Sequence, residues 1–482
     1  MGAAAIISLA EVRTQKQQGE WRQQLHAQFD RWLDTLEEHM AEPKPTLDQI
    51  TRAVWELRQE LTGSLAAAVL EQRYRPEQEQ PHAPCPQCGR VVAARGVVSR
   101  TVETVVGAVE VRRPYFYCVP CGQGFAPLDT KLGLAPGRKQ FDLQQAAAKL
   151  TAEVPYETAQ ELFRELTGMT LSSAGMHELS NAVADGIGVL EVAPPREEIA
   201  AQIAAVAAGR HWRPVLVLAI DGAEVPTRPE TAKRTRPGRK KVRAKRARWQ
   251  GQWREAKGFR FYLVAEDRIV HLLSWHQIQS EEDLFAALAQ VQAAGLIPEE
   301  QVRLCIVADG AKWIWGRVKE LFPTATEILD YYHCAEHIHQ LAEVHYGEHP
   351  ERALEWVEAT MARLFAGEVD GVIWGLQRMR PATPTAAAAI NDLIGYLQNN
   401  RDRINYRSQR KAGYPLGSGG IEAAHKFICH ARLKRSGAWW YVGNSNHMLA
   451  LRCAKYNGTF ERVFERYRQK LLEQSQQKNV KK

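Results

Sequence analysis

The sequence has no apolar run long enough to span a bilayer, and no basic segment precedes the short apolar stretch near its start. The first absence argues against a transmembrane helix, and the second argues against a secretory signal peptide. Ile6 stands where a myristoylation signal needs serine or threonine. There is also no internal repeat at a fixed period, so a repeat architecture is not expected. We therefore expect a cytoplasmic protein, with no membrane partner.

Cysteine is scarce, with 8 residues among 482, and four of them form two C-x-x-C pairs. Cys85 and Cys88 are followed, after 29 intervening residues, by Cys118 and Cys121. In a reducing cytosol this spacing indicates metal binding rather than disulfides. Four thiolates complete a closed tetrahedral site, so we predict a structural Zn²⁺ in a zinc ribbon over residues 82–126. Five arginines would suit nucleic-acid binding by this ribbon: Arg90, Arg95, Arg100, Arg112 and Arg113.

Acidic residues do not balance the basic ones, since 55 Asp and Glu stand against 63 Lys and Arg, a net charge of +8. This excess alone is only a hint of a polyanionic partner. The distribution is more informative, because residues 236–249 contain no acid and eight cations. These are Arg236, Arg239, Lys240, Lys241, Arg243, Lys245, Arg246 and Arg248. The usual interpretation of such a run is a solvated segment. We predict instead a loop that binds DNA phosphates, with a steep salt dependence.

Changes in composition predict an α/β core, helical regions and the ribbon. The predicted regions are a helical region over 1–80, the ribbon over 82–126, a helical region over 127–205, the first part of the core over 206–335, a helical insertion over 336–412, and the completion of the core with C-terminal helices over 413–482. Two helices around Gly168 could form a helix-turn-helix. The second helix lacks a basic residue before Arg196, so plain helical packing is an equal alternative.

Two aspartates follow apolar runs that are typical of buried strands. Asp221 follows VLVLAI and Asp309 follows LCIVA, and a glycine comes after each aspartate. A lone Asp-Gly after a strand is usually turn chemistry. Two on neighbouring strands favour a ligand site, because ligands in open α/β sheets gather at such strand ends. Between residues 213 and 333 the predicted order is β-β-β-α-β-α-β, which is the order of a ribonuclease H-like core.

A third carboxylate, Glu422, lies in a glycine-rich segment just after Ser418. Ser418 can cap a helix there, which would put Glu422 in the first turn and Lys426 one turn further on the same face. The simpler interpretation is that Glu422 only favours the helix dipole. Hard carboxylates are the ligands that Mg²⁺ prefers, and two ions can activate an attacking oxygen and stabilise a leaving one. We predict two Mg²⁺ or Mn²⁺ ions held by Asp221, Asp309 and Glu422.

These residues resemble the DDE transposases of bacterial insertion sequences, within the Mutator-like superfamily and its Kra group. The resemblance covers roughly residues 80–460. It is carried by CPQC…CVPC, LAIDGAEV, IVADGAKWIW, DYYHCAEHI and GSGGIEAAHKFICHARLKRSGAWW. It implies a ribonuclease H-like fold with an all-helical insertion before the catalytic glutamate. It also implies a supporting Asp-x-x-His signature, which Asp330 and His333 match, and Lys426 could contact a phosphate.

The expectation is thus a DNA transposase that cleaves DNA at the ends of its element and joins them to target DNA. Its partners would be the terminal inverted repeats, target DNA and further copies of itself, since two ends must be brought together. A non-catalytic zinc-ribbon DNA-binding protein is the main alternative. A zinc peptidase is a third hypothesis, because His333 to His337 spell H-x-x-E-H, although His333 is expected at a strand end rather than within a helix.

Overall fold

A computed structural model describes residues 9–40, 43–229, 250–266, 268–347 and 349–481. The chain divides into two compact units, Met1–Val183 with Phe464–Lys482, and Ala184–Val463. The first unit contains a four-stranded sheet and the second contains a five-stranded sheet. In the described part of the chain, every helix is too short or too polar to cross a membrane. The protein is therefore a mixed α/β protein.

The first unit begins with helices and continues into a small antiparallel sheet. Its elements before the second unit are α1 (Leu9–His39), α2 (Leu47–Arg73), α3 (Arg75–Gln78), β1 (His82–Pro84), β2 (Val91–Thr104), β3 (Gly107–Cys118), β4 (Gln123–Phe125), α4 (Pro127–Lys131), α5 (Phe141–Glu153), α6 (Tyr156–Thr167) and α7 (Ser173–Ala184). Helix α2 begins after Thr46 because Thr46 and Gln49 form a reciprocal capping box. Gly107 turns β2 into β3 with φ 121°, a conformation that glycine adopts without strain.

The second unit begins with two helices and then forms an α/β sheet. These elements are α8 (Val189–Val192), α9 (Arg196–Ala207), β5 (Val215–Thr227), β6 (Gln252–Val264), β7 (Ile269–Ile278), α10 (Glu281–Ala293), β8 (Arg303–Ala308), α11 (Lys312–Leu321) and β9 (Thr326–Leu329). The strands lie in the order β7-β6-β5-β8-β9. Strands β5, β6 and β7 pair antiparallel. Strand β8 pairs parallel with β5, and β9 pairs parallel with β8, as their helical crossovers require.

The remainder of the chain is helical, as the sequence predicts. Its helices are α12 (Tyr331–Tyr346), α13 (Pro350–Ala366), α14 (Val369–Arg378), α15 (Pro384–Asn399), α16 (Tyr406–Lys411), α17 (Gly419–His425), α18 (Ala431–Leu433), α19 (Val442–Tyr456) and α20 (Phe460–Lys481), with a π-helical turn at Lys426–His430. Helices α12 to α16 share a core that includes Leu341, Leu364, Leu397 and Tyr406. No strand interrupts these helices among the described residues of 336–412.

Strand β5 does not end at Asp221, as its apolar run had suggested. It continues to Thr227 because β6 pairs with it along the whole length, from Val215 opposite Val264 to Thr227 opposite Gln252. Its parallel pairing with β8 stops earlier, at Ile220. Asp221 therefore lies just beyond the last residue of β5 that pairs with β8, while β6 and β7 continue beside β5.

Strand β9 is also shorter than its sequence suggests. It ends at Leu329, and α12 begins at Tyr331. The cause is Asp330, whose carboxylate accepts hydrogen bonds from the backbone N–H groups of Tyr332 and His333. Such a cap favours helix over strand for the residues that follow. The expectation that His333 lies at a strand end is therefore wrong, since it lies in the first turn of a helix.

Candidate active site and cysteine cluster

The four cysteines of the C-x-x-C pairs meet in the small sheet of the first unit. Their sulfur atoms lie within 4.8 Å of one another. The Sγ atoms of Cys85 and Cys121 are 4.0 Å apart, and those of Cys88 and Cys118 are 3.7 Å apart. Tetrahedral zinc with bonds of about 2.3 Å would separate sulfurs by roughly 3.8 Å, whereas a disulfide needs about 2.05 Å. The cluster can therefore hold a metal ion such as zinc.

Two tight turns bring the cysteines of each pair together. The N–H of Gly89 donates to the carbonyl of Cys85, and the N–H of Gly122 donates to the carbonyl of Val119. Both glycines have positive φ, at 71° and 64°. The rings of Phe116 and Phe125 stack within the same small core. The two backbone turns and this small core thus place the four sulfur atoms close together.

The ribbon's arginines do not form one basic surface. Arg100 and Arg113 both bind the carboxylate of Asp129, and both side chains are mostly buried. Arg100 also donates to the carbonyl of Gly137 at 2.7 Å. These two arginines hold the segment after β4 against the hairpin, so only Arg90, Arg95 and Arg112 remain as exposed cations of the expected set.

Asp221 and Asp309 are neighbours at one edge of the five-stranded sheet. Their preceding residues, Ile220 and Ala308, are partners in the last pair of the parallel β5–β8 ladder. Both aspartates are half-buried. Burial raises the pKa of Asp221 to about 6, and the negative charge of Asp309 adds to this effect, while the N–H of Gly222 opposes it. Two carboxylates held this way form a place where a cation would be stabilised.

The glycines after the two aspartates both leave space for side chains from other elements. Neither Gly222 nor Gly310 has a positive φ. A Cβ on Gly222 would lie 2.0 Å from Oε1 of Glu255, and one on Gly310 would lie 2.2 Å from the ring of Tyr396. Turn chemistry, the simpler interpretation of each Asp-Gly, does not apply at Asp221, where β5 continues. It does apply at Asp309, whose Oδ1 accepts from the N–H of Ala311 at 3.0 Å in an Asx turn. Side chains from β6 and α15 come close to the backbone beside each aspartate.

Asp330 is almost fully buried and holds three backbone N–H groups. Besides capping α12, its Oδ2 accepts from the N–H of Ser418. Burial by itself would raise the pKa of Asp330, but hydrogen bonds from His333 and Ser418 lower it to about 2. Pairing with Asp330 raises the pKa of His333 to about 9, so this imidazole is positively charged at neutral pH. The negative charge of Asp221 also raises the pKa of His333, so the two side chains interact electrostatically.

Ser418 does not cap α17 with its side chain, contrary to expectation. Its Oγ has no hydrogen-bond partner, and its backbone has φ −80° and ψ 8°, outside the extended conformation of a capping residue. The physical reason is the N–H bond to Asp330, which sets the orientation of this residue. The start of α17 is thus positioned by a residue 88 positions earlier in the chain.

Glu422 lies in the first turn of α17 and is exposed, as is Lys426 in the π-helical turn. Helix α17 packs on the sheet through Ile421, which joins the core of Val217 and Ala219. Among the described residues, the four cysteines are the only group of three or more His, Cys, Asp or Glu whose ligand atoms lie within 4.8 Å of one another. Glu422 therefore does not complete such a group with Asp221 and Asp309.

Three residues near Asp221 were missed by the sequence reasoning. Glu255 lies over Gly222 and adds negative charge near Asp221. His425 places Nδ1 3.8 Å from Oδ2 of Asp221, and its ring faces that of His276 with centroids 5.1 Å apart. The motif EAAH contained a signal for His425, since residues three apart on a helix share a face. Nothing local in the sequence pointed to His276 or Glu255.

Two further predictions concern the basic run and the helix-turn-helix. The eight cations of 236–249 lie outside the described residues. In the predicted helix-turn-helix, Gly168 does separate α6 from α7, with φ 68°. His177 stacks edge-on against Tyr156 and lies within hydrogen-bond distance of Asn181, so it has partners within the protein. Packing thus accounts for His177 without a nucleic acid.

The H-x-x-E-H segment lies on α12, so both of its histidines are helical. The ring of His337 lies 4.1 Å from the ring of Tyr396, centre to centre, and His333 is paired with Asp330. Among the residues described, neither histidine belongs to a group of three close ligands. The helical placement removes one objection to the peptidase hypothesis, but a three-ligand zinc site is not formed there.

The fold and these sites define a mixed α/β protein with a four-cysteine cluster in one unit and an aspartate pair in the other. Residues 46–470 match the model of an uncharacterised protein family, UPF0236, and the chain belongs to this family. No curated protein matches the chain. The match covers both sites, but the family description assigns no activity, so function must be argued from the residues.

Zinc content tests the cysteine cluster. We expect one zinc ion per chain, and we expect the Cys118→Ser, Cys121→Ser double variant to lose it, because two ligands cannot close a tetrahedral site. Loss of metal should also remove hydrogen-exchange protection from residues 82–126. Cys334→Ala, which removes a buried cysteine outside the cluster, should keep the full zinc content. Stoichiometric zinc in the double variant would contradict this assignment.

The raised pKa of Asp221 predicts that this residue destabilises the fold at neutral pH. The pKa of this carboxyl group is about 6 in the folded protein and lower in the unfolded chain, so the group reduces the free energy of unfolding once the pH exceeds the unfolded pKa. The reduction is complete above pH 6. Asp221→Asn should therefore stabilise the second unit at pH 7.5 in magnesium-free buffer by roughly 2–3 kcal/mol. The gain should fade as the pH is lowered through 6 towards 4.

Chemical denaturation monitored by hydrogen exchange in β5 would measure this difference. Glu224→Gln is the matched control, since it removes an exposed carboxylate from the same strand and should change stability by less than about 0.5 kcal/mol. Equal stability of wild type and Asp221→Asn at pH 7.5 would show that the buried charge is not destabilising.

Proposed function

We propose that the protein is a DNA transposase of an insertion sequence, with a ribonuclease H-like catalytic core. The catalytic residues would be Asp221, Asp309 and Glu422. In this proposal the chain is related to the Mutator-like transposases and the Kra group of insertion sequences. The reaction would be cleavage of DNA at the element's ends, followed by transfer of the freed strand into target DNA.

The observation that carries the proposal is that Asp221 and Asp309 lie side by side at the ends of paired strand segments. They follow partner residues of neighbouring parallel strands, and the charge of Asp309 raises the pKa of Asp221. A protein that needed these positions only for folding would be more stable with neutral residues there. A half-buried pair of like charges is instead typical of a site that takes a cation.

The residues partly fit the divalent ions that such a reaction needs. Asp221 and Asp309 offer oxygen ligands, which suit Mg²⁺ or Mn²⁺. Glu422 is exposed on a helix whose His425 lies 3.8 Å from Asp221, but its carboxylate is not part of a close group with the aspartates. Two bound ions would supply polarisation of the attacking and leaving oxygens of the phosphodiester.

The chain's own residues would bind and orient the DNA at this edge of the sheet. The imidazolium of His333 and the exposed ammonium of Lys426 offer positive charge for a phosphate. In cleavage, water attacks phosphorus and the 3′-oxygen leaves as a hydroxyl group. In strand transfer, that 3′-hydroxyl attacks a target phosphodiester, so one P–O bond forms and one breaks in each step.

Other features agree with this function without carrying it. The strand and helix order of the second unit is the one that the resemblance implies, and helices α12 to α16 precede Glu422 where a helical insertion is expected. The cysteine cluster would be a structural zinc site in a ribbon. The cations of 236–249 would bind DNA phosphates, and a dimer or larger assembly would bring two DNA ends together.

The alternative is a non-catalytic zinc-ribbon DNA-binding protein, such as a regulator derived from a transposase. One observation favours it, namely that Glu422 does not complete a close ligand group with the two aspartates. A regulator would not need the aspartate pair, and this is why we prefer the enzyme.

A nicking assay tests the proposal. The substrate is DNA that contains the gene's flanking sequences, which should include terminal inverted repeats bounded by a short direct duplication. With Mg²⁺ or Mn²⁺ the wild type should nick at the repeat ends. Asp221→Asn, Asp309→Asn and Glu422→Gln should each lower the rate by about 10²-fold or more, since each removes an ion ligand, and should leave DNA binding nearly unchanged.

Glu224→Gln is the matched carboxylate control and should keep the cleavage rate. A variant with all three substitutions that still nicks would refute the catalytic assignment. Specific binding by the wild type without metal-dependent nicking would favour the regulator instead.

A further inference from the structure

A row of three residues crosses the sheet on the face that carries Asp221. Asp221 pairs with Gly258 of β6, and Gly258 pairs with His276 of β7. Asp309 follows β8 on the other side. Residues directly opposite in antiparallel pairs lie on one face. Gly258 leaves the position between Asp221 and His276 without a side chain, and a Cβ there would lie 2.2 Å from the His276 ring.

His425 of α17 fits above this gap. Its ring centroid is 5.1 Å from that of His276, and its Nδ1 is 3.8 Å from Oδ2 of Asp221. Both histidines are buried, with exposed fractions of 5% for His425 and 0% for His276. Neither nitrogen of His276 has a hydrogen-bond partner, and neither does Nε2 of His425. Buried polar atoms without partners are rare and often mark a functional site.

The position of His425 is set by contacts that other residues make, in α17 and just before it. Ile421 is in the core of the sheet, and the carbonyl of Gly420 accepts from the buried guanidinium of Arg260. Ser418 is held by Asp330. The imidazole is therefore brought to Asp221 by the docking of α17, and the His276 ring packs on its other side.

Asp221 and His425 lie side by side without a hydrogen bond between Oδ2 and Nδ1. A separation of 3.8 Å exceeds the usual 2.7–3.2 Å of a hydrogen bond. An imidazole nitrogen beside a carboxylate oxygen, with no hydrogen bond between them, offers two ligand atoms to one cation.

We propose that Nδ1 of His425 and Oδ2 of Asp221 bind the same divalent ion, which makes this metal position a mixed nitrogen and oxygen site. The inference rests on the proposed function, which puts divalent ions at Asp221. It adds a ligand of a different class, and so predicts metal selectivity. Mg²⁺ is restricted to oxygen ligands, whereas Mn²⁺ also accepts imidazole nitrogen, so the site should prefer Mn²⁺.

Mn²⁺ bound to the zinc-loaded full-length chain, without DNA, tests this directly. Pulsed electron paramagnetic resonance should detect ¹⁴N coupling from a coordinated imidazole in the wild type and lose it in His425→Ala. The variant should bind Mn²⁺ at least about tenfold more weakly, because an inner ligand should matter at least as much as an outer partner. Its Mg²⁺ affinity should change by less than about threefold.

His425→Asn provides a second variant that replaces nitrogen by an amide oxygen of similar reach. It should retain Mg²⁺ binding while the ratio of Mn²⁺ to Mg²⁺ affinity falls about tenfold, a change that a purely structural role would not produce. His430→Ala is the matched control. It removes a half-buried imidazole five residues later, 6.4 Å from the His425 ring, and should leave both the ¹⁴N coupling and the metal ratio unchanged.

Absence of imidazole coupling in the wild type, or an unchanged metal ratio in folded His425→Asn, would overturn the inference. These outcomes are separable from a failure of the proposed function, because binding is measured without DNA. Metal binding through His425 without any nicking would leave the site standing and remove the transposase. Nicking that depends on Asp221 but not on His425 would do the reverse.

Discussion

The architecture of the second unit depends on one buried carboxylate, Asp330. It caps the first helix of the insertion through the N–H groups of Tyr332 and His333, and it accepts the N–H of Ser418 just before α17. Two segments 88 positions apart, the start of α12 and the start of α17, thus meet at one side chain with an exposed fraction of 1%. Hydrogen bonds to a charged group are stronger than neutral ones, and removing a buried charge's partners is costly. The helix that carries Glu422 and His425 is positioned by this contact.

Asp221 has the opposite character. Asp330 is stabilised as an anion, whereas Asp221 is buried beside another negative charge and its pKa is raised to about 6. Glycines make room around this pair, since Gly222, Gly258 and Gly310 each have a side chain from another element where their own Cβ would be. The charge of Asp221 thus lowers the stability of the fold, whereas that of Asp330 raises it. This contrast is expected where a site is shaped for binding rather than for folding.

Sequence reasoning predicted the parts of the fold that depend on local chemistry. The C-x-x-C spacing predicted the cluster of Cys85 and its partners, because a two-residue gap puts two thiols on one turn. Apolar runs located β5 and β8, and helical spacing located α10 and the helices of 336–412. Errors arose where a distant partner decides the outcome. Strand β5 continues beyond Asp221 because β6 pairs with it. The side chain of Ser418 does not cap α17 because the backbone N–H of Ser418 is bonded to Asp330.

The sequence by itself determined which residues could carry charge or bind metal, because carboxylates, thiols and imidazoles are fixed by residue type. It also determined where strands and helices form, because periodicity and caps act over a few residues. Only the tertiary structure decided which of these groups meet. Arg100 and Arg113 form ion pairs with Asp129. His425 lies beside Asp221 because strand pairing and the docking of α17 on the sheet bring the two residues together. Those contacts join residues up to hundreds of positions apart, and their geometry depends on packing that no local pattern records.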